Sequence, residues 1–436
     1  MRMDDVDQLI IGPAQKGLPA DSAELSVRAL LDRGPHLSDL TTPLLTLDGP
    51  GMDANVAVLG RYCAAHGLAL APHGKTTMAP QLWRLQLEAG AWGITVANPA
   101  QLAVAQLAQV PRVQLANTLA DPHGIALAQS MTADGQEVVS WVDSPAAVRR
   151  LQEHLDPTGP QLDVLVELGA PGGRTGARSA AIALEIAHAV QASAVLRLRG
   201  VAGYEGALAH DRSDAGLAAV TAYLTTMTEL YVRLAEDGLL DPLARAGVDG
   251  ILTAGGSAYF DLVAEAFADV PARLPGDAPQ TLLMLRSGAY IVHDDGFYRG
   301  ISPLRDEESA AAAGGQRLRS AMHGWARVLS RPEPGLALLD AGKRDLPFDE
   351  GLPEAQRVQR GFGAPVRELP GARVTAMNDQ HTFLEVPADA DLEIGDVVRL
   401  GLSHPCTAFD KWRLIPVIDD ADAADPALTG LVRTWF

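Results

Sequence analysis

A lysine at the end of an apolar segment is the clearest candidate for covalent chemistry. Lys75 closes the segment LALAPHGK at 68–75, which the sequence predicts to be a strand. At the mouth of a parallel barrel the ammonium would lie among apolar walls, where burial lowers its pKa. The amine would then be nucleophilic and able to form an imine with a carbonyl cofactor. A solvated loop lysine is the alternative interpretation of the same position.

A Gly-Gly-Ser sequence predicts a phosphate site. Gly255, Gly256 and Ser257 follow the apolar segment GILTA and precede the helical segment AYFDLVAEAFA. Glycine lets the main chain approach a ligand closely, and the free N–H groups at the start of a helix favour phosphate. In barrels the loops after strands seven and eight often hold phosphate, and this is the seventh predicted strand. A phosphorylated aldehyde could therefore contact both this loop and Lys75.

A histidine and a cysteine near the C-terminal end could bind one metal ion. His404 and Cys406 are two residues apart, so on an extended segment their side chains point to the same side. Two protein ligands leave open positions, which a substrate-binding metal requires. A structural role for the pair is the alternative. His381 is a further histidine that is interpreted either as a neighbour of the metal or as a polar turn residue, and Cys63 as a small core residue.

Eight short apolar segments alternate with amphipathic segments and must position these side chains. The apolar segments occupy 68–75, 93–98, 113–117, 137–143, 162–169, 200–206, 250–257 and 281–290. Near-continuous apolar strands separated by helices are typical of a parallel sheet that is covered on both faces. The predicted fold class is therefore α/β, with a TIM-type (β/α)₈ barrel over residues 49–300.

The pattern changes after the eighth segment. Alternating apolar and polar residues with Gly, Pro and Asp breaks predict a second, mostly antiparallel β domain over 301–436, which carries the metal pair. Residues 1–48 contain no barrel unit, and we expect them to pack on the β domain.

Composition excludes several classes of partner. The 436 residues include 35 Lys and Arg against 54 Asp and Glu, a net charge of −19 that repels a nucleic-acid backbone. No apolar stretch reaches the ~18 residues of a spanning helix, and the N-terminal sequence lacks a signal-peptide core, so we expect a cytoplasmic protein with no membrane partner. Two cysteines cannot form a disulfide framework.

Six short motifs occur along the chain in a characteristic order. They are PHGKT at 72–76, RTG at 174–176, GYEG at 203–206, GGS at 255–257, RSGAY at 286–290 and HPC at 404–406. Together they resemble the D-serine dehydratase and D-threonine aldolase family of pyridoxal-phosphate enzymes, which has the alanine-racemase-type fold of a barrel plus a β domain. The resemblance extends from about residue 45 to the end, and it implies a homodimer.

The resemblance implies a role for each motif. Lys75 would hold pyridoxal phosphate, with Arg174 near the phenolic oxygen, Tyr204 near the ring and the Gly-Gly-Ser loop at the phosphate. His404 and Cys406 match the zinc pair of the dehydratases, whereas the aldolases carry Asp in place of the Cys. The predicted cofactor-binding residues are Lys75, His73, Arg174, Tyr204, Gly255, Gly256, Ser257 and Tyr290.

Two of these assignments have a weaker basis. His73 precedes Lys75 by two residues and so faces the same side, where it would orient the cofactor; a structural histidine is the alternative. Tyr290 is interpreted as a phenol close to the substrate or the cofactor.

The function that follows is a carbon–oxygen lyase dependent on pyridoxal phosphate and on Zn²⁺ or another divalent metal. We expect β-elimination from a D-β-hydroxy amino acid such as D-serine, giving a 2-keto acid and ammonia, with the D preference implied by the resemblance. The alternative is a metal-dependent aldolase that gives glycine and an aldehyde. A non-catalytic pyridoxal-phosphate carrier is a third interpretation.

Overall fold

The computed structural model of the chain describes residues 6–13 and 15–436 and contains two sheets. One sheet has eight parallel strands and the other has nine mostly antiparallel strands. Strands are numbered in chain order, with β1 (Leu44–Asp48) in the second sheet.

The parallel strands form the closed barrel that the sequence predicts. They are β2 (Ala69–Leu70), β3 (Ile94–Val96), β4 (Arg112–Thr118), β5 (Glu137–Val142), β6 (Leu162–Leu168), β7 (Leu196–Gly203), β8 (Gly250–Ala254) and β9 (Thr281–Leu285). Their order is β2-β9-β8-β7-β6-β5-β4-β3. Main-chain hydrogen bonds from Trp92 to Leu70 (2.7 Å) and from Thr95 to Pro72 (2.8 Å) join the two ends and close the ring. Each of the eight apolar segments overlaps one strand, although β4 and β7 extend beyond theirs, and the predicted fold class is confirmed.

Helices cover the outside of the barrel and connect it to the second sheet. They are α1 (Val27–Leu31), α2 (Gly49–Ala65), α3 (Pro80–Glu88), α4 (Pro99–Leu107), α5 (Pro122–Ala133), α6 (Pro145–His154), α7 (Ala180–Gln191), α8 (Asp214–Glu236), α9 (Asp241–Ala246), α10 (Phe260–Phe267), α11 (Val270–Arg273), α12 (Phe297–Ile301), α13 (Glu307–Ala312) and α14 (Pro405–Phe409). Within the described ranges, none of them combines the length and the apolar character needed to cross a bilayer.

Three successive barrel helices begin with the same local signal. Asn98, Asp121 and Ser144 each accept a hydrogen bond from the main-chain N–H three residues ahead, and a proline follows each of them at the first helical position. The side chain satisfies an N–H group that the helix leaves free, and proline presets the first turn. These N-cap residues and prolines fix the residue at which each helix begins after the preceding strand.

The second sheet joins the N-terminal and C-terminal parts of the chain. Its strands after β1 are β10 (Met322–Glu333), β11 (Leu336–Leu339), β12 (Glu354–Gln359), β13 (Arg373–Met377), β14 (Thr382–Glu385), β15 (Val397–Gly401), β16 (Leu414–Ile418) and β17 (Leu428–Arg433). The strand β1 pairs antiparallel with β10 and parallel with β16. The first four residues of β12 are only half-buried and show no apolar alternation, so this strand has a weak sequence signal.

A buried ion cluster closes the end of the barrel opposite to the strand carboxyl ends. Asp163 on β6 pairs with Arg197 on β7 through two bonds of 2.6 and 2.9 Å, and it also contacts Arg199. Arg199, 3% exposed, also reaches Glu137 on β5 at 3.0 Å. Because these side chains come from three neighbouring strands, the cluster fixes strand register while it compensates the buried charges of Asp163 and Arg199.

We expect Asp163→Ala to destabilise the barrel by about 3 kcal/mol, because it removes the carboxylate shared by two arginines and leaves charge buried without compensation. Chemical denaturation of the variant and the wild type measures this difference. The exposed Asp134→Ala is the matched control and should change the free energy of unfolding by less than about 0.5 kcal/mol. An equally small change for Asp163→Ala would contradict the structural role of the cluster.

Candidate active site

A cavity of about 390 Å³ lies at the carboxyl ends of the barrel strands. Each strand, or the loop after it, contributes lining residues, for example Lys75, Ala97, Asn117, Trp141, Glu167, Tyr204, Gly255 and Arg286. Loops of the β domain add Glu350, His404 and Cys406 from the other side. The cavity therefore occupies the position where barrel enzymes carry their chemistry, and it brings together most of the residues singled out in the sequence.

Lys75 lies in this cavity, although not at the end of a strand. It belongs to a short 3₁₀ turn, Gly74–Thr76, which follows β2 after three further residues. Burial lowers the pKa of Lys75, and the charges of Arg174 and Arg286 lower it further, while Cys406 acts in the opposite direction. The structure thus favours the buried, nucleophilic lysine over the solvated loop residue.

Arg174 and Tyr204 form one wall of the cavity. The Arg174 guanidinium lies over the Tyr204 ring, with its central carbon 4.6 Å from the ring centroid. On the other side the ring approaches the glycine loop, where a Cβ on Gly256 would lie 3.1 Å from the Tyr204 ring. A cation over an aromatic face is favourable, and here it holds a positive charge beside the cavity.

A buried carboxylate that the sequence analysis did not single out holds the glycine loop. Glu205 is fully buried and accepts hydrogen bonds of 2.8 Å from the N–H groups of both Gly255 and Gly256. Gly255 has φ +99°, a conformation that favours glycine. These two N–H groups are therefore used within the protein, and the two glycines shape the loop; the assignment of the Gly-Gly-Ser loop to the cofactor phosphate stays a prediction. In the described part of the chain, no acceptor pairs with the next two N–H groups, those of Ser257 and Ala258.

Arg286 places a second positive charge in the cavity. It donates to Thr253 Oγ1 at 2.7 Å and to Gly203 O at 2.5 Å, and its guanidinium lies 4.9 Å from the centroid of the Trp141 ring. Burial lowers its pKa to about 10. The guanidinium thus stays charged at neutral pH, and it donates to uncharged oxygens and lies near an aromatic ring.

Of the two weaker cofactor assignments, the structure places His73 in the cavity and Tyr290 outside it. Tyr290 is 1% exposed, does not line the cavity and pairs with Gln86 in the core, so its assignment as a phenol close to the cofactor is wrong. His73 does line the cavity beside Lys75. Burial holds the pKa of His73 well below its usual value, and its Nδ1 has no partner among the described residues.

His404 and Cys406 face the cavity but do not lie on an extended segment. The strand β15 ends at Gly401, His404 adopts a left-handed conformation with φ +52°, and Cys406 lies in the first turn of α14. The prediction of an extended segment is wrong because Pro405 begins a helix. The two side chains nevertheless interact with each other, so one metal ion could bind between them.

The protonation of this pair is coupled. Burial would raise the pKa of the Cys406 thiol, but its hydrogen bonds with His404 and Thr76, together with the charges of His404 and Lys75, lower it overall. Cys406 and Asp349 raise the pKa of His404 to about 9. A thiolate is the form that binds metal. No group of three or more His, Cys, Asp or Glu side chains in the described ranges is arranged to hold a metal, so the candidate is a two-ligand site.

The remaining candidate residues lie elsewhere. His381 is exposed in the turn between β13 and β14, outside the cavity, and Cys63 is buried on α2. The loop after β9 contains two consecutive acids, Asp294 and Asp295. Its Asp294 is buried and accepts hydrogen bonds from the main-chain N–H groups of Gly296 and Tyr298, and also of His404 at 3.2 Å.

Comparison with known proteins identifies relatives over most of the chain. Residues 321–418 match a family model described as a putative serine dehydratase domain. The chain is 26% identical to D-threonine aldolase of Arthrobacter sp. over 395 residues, which cover 90% of this chain and 93% of the relative. It is 25% identical to D-threo-3-hydroxyaspartate dehydratase of Delftia sp. (strain HT23) over 413 residues, covering 92% and 97%.

A solved structure shows the same fold. The crystal structure of D-threonine aldolase from Filomicrobium marinum superposes with a TM-score of 0.75 at 22% identity, covering 92% of this chain and 97% of that chain. The predicted relationship to the D-serine dehydratase and D-threonine aldolase group is confirmed. Because the relatives include both aldolases and a dehydratase, the comparisons support a lyase of this group and leave the bond that it breaks open.

We expect Glu205→Gln to destabilise the glycine loop. The glutamine side chain has only one acceptor oxygen, so its NH₂ group would face the N–H group of Gly255 or Gly256, and two donors would meet without an acceptor. The free energy of unfolding of the cofactor-free protein should fall by about 1–3 kcal/mol, as for a buried group left unsatisfied. Urea unfolding measures the loss, with the exposed Glu185→Gln on α7 as control. If both variants unfold at the same urea concentration as the wild type, Glu205 does not hold the loop.

Proposed function

We propose that the chain is a lyase dependent on pyridoxal phosphate and a divalent metal such as Zn²⁺, and that it eliminates water from a D-β-hydroxy amino acid such as D-serine. The products would be a 2-keto acid and ammonia. One observation carries the proposal: Lys75 and the His404–Cys406 pair open into the same cavity. Thr76, next to Lys75, accepts a hydrogen bond from the Cys406 thiol at 3.6 Å, which joins the segments that carry the two groups.

The cavity residues fit pyridoxal phosphate. The buried Lys75 amine supplies the covalent attachment, and the free N–H groups of Ser257 and Ala258 supply donors for the phosphate. Arg174 lies over Tyr204 at the wall where the phenolic oxygen would be held. The unpartnered Nδ1 of His73 is a buried polar atom for which a bound group would provide a partner.

Lys75 is the group that moves a proton. Pyridoxal phosphate, when bound, supplies an electron sink for negative charge at the substrate Cα. A lysine with a lowered pKa has a larger neutral fraction near pH 7, so the Lys75 amine can remove the Cα proton as a general base. Arg174 and Arg286 keep positive charge beside that position, which favours the carboxylate of an amino acid substrate.

His404 and Cys406 would hold the metal opposite to Lys75. A divalent metal, when bound, supplies a Lewis acid that makes the β-hydroxyl a better leaving group. Because the pair provides two ligands, coordination positions remain for the substrate oxygen and for water. The lowered pKa of Cys406 favours the thiolate that such a site needs.

The second candidate is a D-3-hydroxy amino acid aldolase that uses the same residues. The similarity to D-threonine aldolase over 90% of this chain favours it. In that reaction the β-hydroxyl loses its proton and the Cα–Cβ bond breaks, so glycine and an aldehyde form. The presence of Cys406 rather than Asp in the metal pair is the feature on which we favour elimination.

The products decide between the two reactions. Purified protein with added pyridoxal phosphate and Zn²⁺ is incubated with D-serine, D-threonine or D-3-hydroxyaspartate, and keto acid, ammonia and glycine are quantified. We expect keto acid and ammonia in equal amounts, at a rate that a chelator lowers by at least about 10²-fold. Glycine as the main product would support the aldolase instead. Turnover that is unaffected by the chelator would contradict the metal role.

The attachment of the cofactor to Lys75 is tested on the four lysines of the chain, which are Lys16, Lys75, Lys343 and Lys411. Borohydride reduction of the cofactor-loaded protein followed by peptide mass mapping should find the cofactor on Lys75 alone. In Lys75→Ala we expect no reducible linkage and a rate about 10²–10⁴-fold lower, because the general base is lost. Labelling of another lysine, or of none in wild-type protein, would overturn the assignment.

A further inference from the structure

The main chain of His404 is fixed from the barrel side. With φ +52° and ψ +79°, His404 occupies a region that residues other than glycine seldom adopt. The buried Asp294 accepts a hydrogen bond from the His404 N–H at 3.2 Å. The next residue is Pro405, whose ring restricts His404 further. These constraints leave two rotatable bonds, those of the side chain, to set the direction of the imidazole ring.

A carboxylate at the edge of the cavity fixes the ring. Asp349 Oδ2 lies 2.5 Å from His404 Nδ1, and Asp349 Oδ1 accepts a hydrogen bond of 2.6 Å from the Thr407 hydroxyl. Both carboxylate oxygens are therefore engaged, one with the ring and one with α14, the helix that also carries Cys406. The carboxylate thus connects the ring to the helix.

The contact decides which ring nitrogen can bind a metal. When a metal ion displaces one ring proton, a carboxylate paired with Nδ1 keeps the other proton on that nitrogen, so the lone pair that binds the metal is that of Nε2. Since Nδ1 is occupied by Asp349, the interaction of the ring with the Cys406 thiol is left to Nε2. The two donor atoms thus face each other across the position that a shared metal ion would take.

We propose that Asp349 is a positioning residue for the metal, which acts by holding His404 so that Nε2 faces Cys406. The inference rests on the metal role in the proposed function. Asp349 is not among the residues that line the cavity, and its two oxygens are used within the protein. Loss of such a carboxylate partner of a metal-bound histidine typically lowers metal affinity by about 10–100-fold.

The test measures Zn²⁺ affinity directly, by competition with a chromophoric chelator on metal-depleted protein, and needs no substrate. We expect Asp349→Ala to bind Zn²⁺ about 10–100-fold more weakly than the wild type. Asp349→Asn should be intermediate, because its amide oxygen still accepts a hydrogen bond but carries no charge. Asp379→Asn is the matched control: Asp379 is an exposed acid paired with Arg344 and should leave the affinity unchanged. Cys406→Ala gives the affinity of a site that has lost a ligand.

A second readout separates positioning from a general structural effect. In zinc-loaded wild-type protein, ¹⁵N NMR should show His404 with Nδ1 protonated and Nε2 bound to the metal. In Asp349→Ala, or in Asp349→Asn if the alanine variant does not fold, the Nδ1 proton should exchange faster and part of the signal should shift to the other mode of binding. Cofactor absorbance and Tm verify that the variants remain folded.

The outcomes are distinct from those of the product assay. Equal Zn²⁺ affinity in the wild type and both Asp349 variants, or an unchanged His404 spectrum, overturns the positioning role and leaves the proposed lyase intact. Failure of the wild type to bind Zn²⁺ contradicts both the metal pair and the role of Asp349. Zinc binding weakened as expected, with glycine as the reaction product, supports the positioning role and contradicts elimination.

Discussion

The hydrogen bond from the His404 main chain to the buried Asp294 carboxylate joins the two halves of the candidate site. Asp294 follows the last barrel strand, and His404 follows a strand of the other sheet, 110 residues later in the chain. A second bond, from the Asp295 N–H to Leu402 O at 2.8 Å, supports the same contact. Because of it, Cys406 comes within hydrogen-bonding distance of Thr76, 330 residues away. The barrel alone would have the lysine without the metal pair.

The charge inside the cavity is opposite to that of the molecule. The protein carries a net charge of −19, yet Lys75, Arg174 and Arg286 line the cavity. Two acids, Glu167 and Glu350, also line the cavity, and burial raises the pKa of Glu167, so Glu167 opposes the cations less than a solvated carboxylate would. A cationic pocket in an acidic protein draws in anions and rejects larger polyanions at the surface. A phosphorylated cofactor and an amino acid carboxylate match this field.

The barrel could be predicted from the sequence because each strand lies in a separate apolar segment. Lys75 and the metal pair could be predicted because their residue types and spacing suggest chemistry. Local spacing did not show which way a side chain turns after a strand, so Tyr290 was placed in the cavity although it packs in the core. The roles of Glu205 and Asp349 depend on partners 50 and 55 residues away. A lone carboxylate directly after an apolar strand is a usable signal for Glu205, since a buried charge must find donors.

We propose that one cavity holds both the cofactor, attached to Lys75, and a metal ion between His404 and Cys406. A crystal structure of the protein grown with pyridoxal phosphate and Zn²⁺, with data collected on both sides of the zinc absorption edge, tests it most directly. We predict continuous electron density from Lys75 Nζ to the cofactor. We also predict an anomalous peak for zinc about 2.0–2.3 Å from both His404 Nε2 and Cys406 Sγ. Zinc bound elsewhere, or a cofactor in the cavity that is not joined to Lys75, would contradict it.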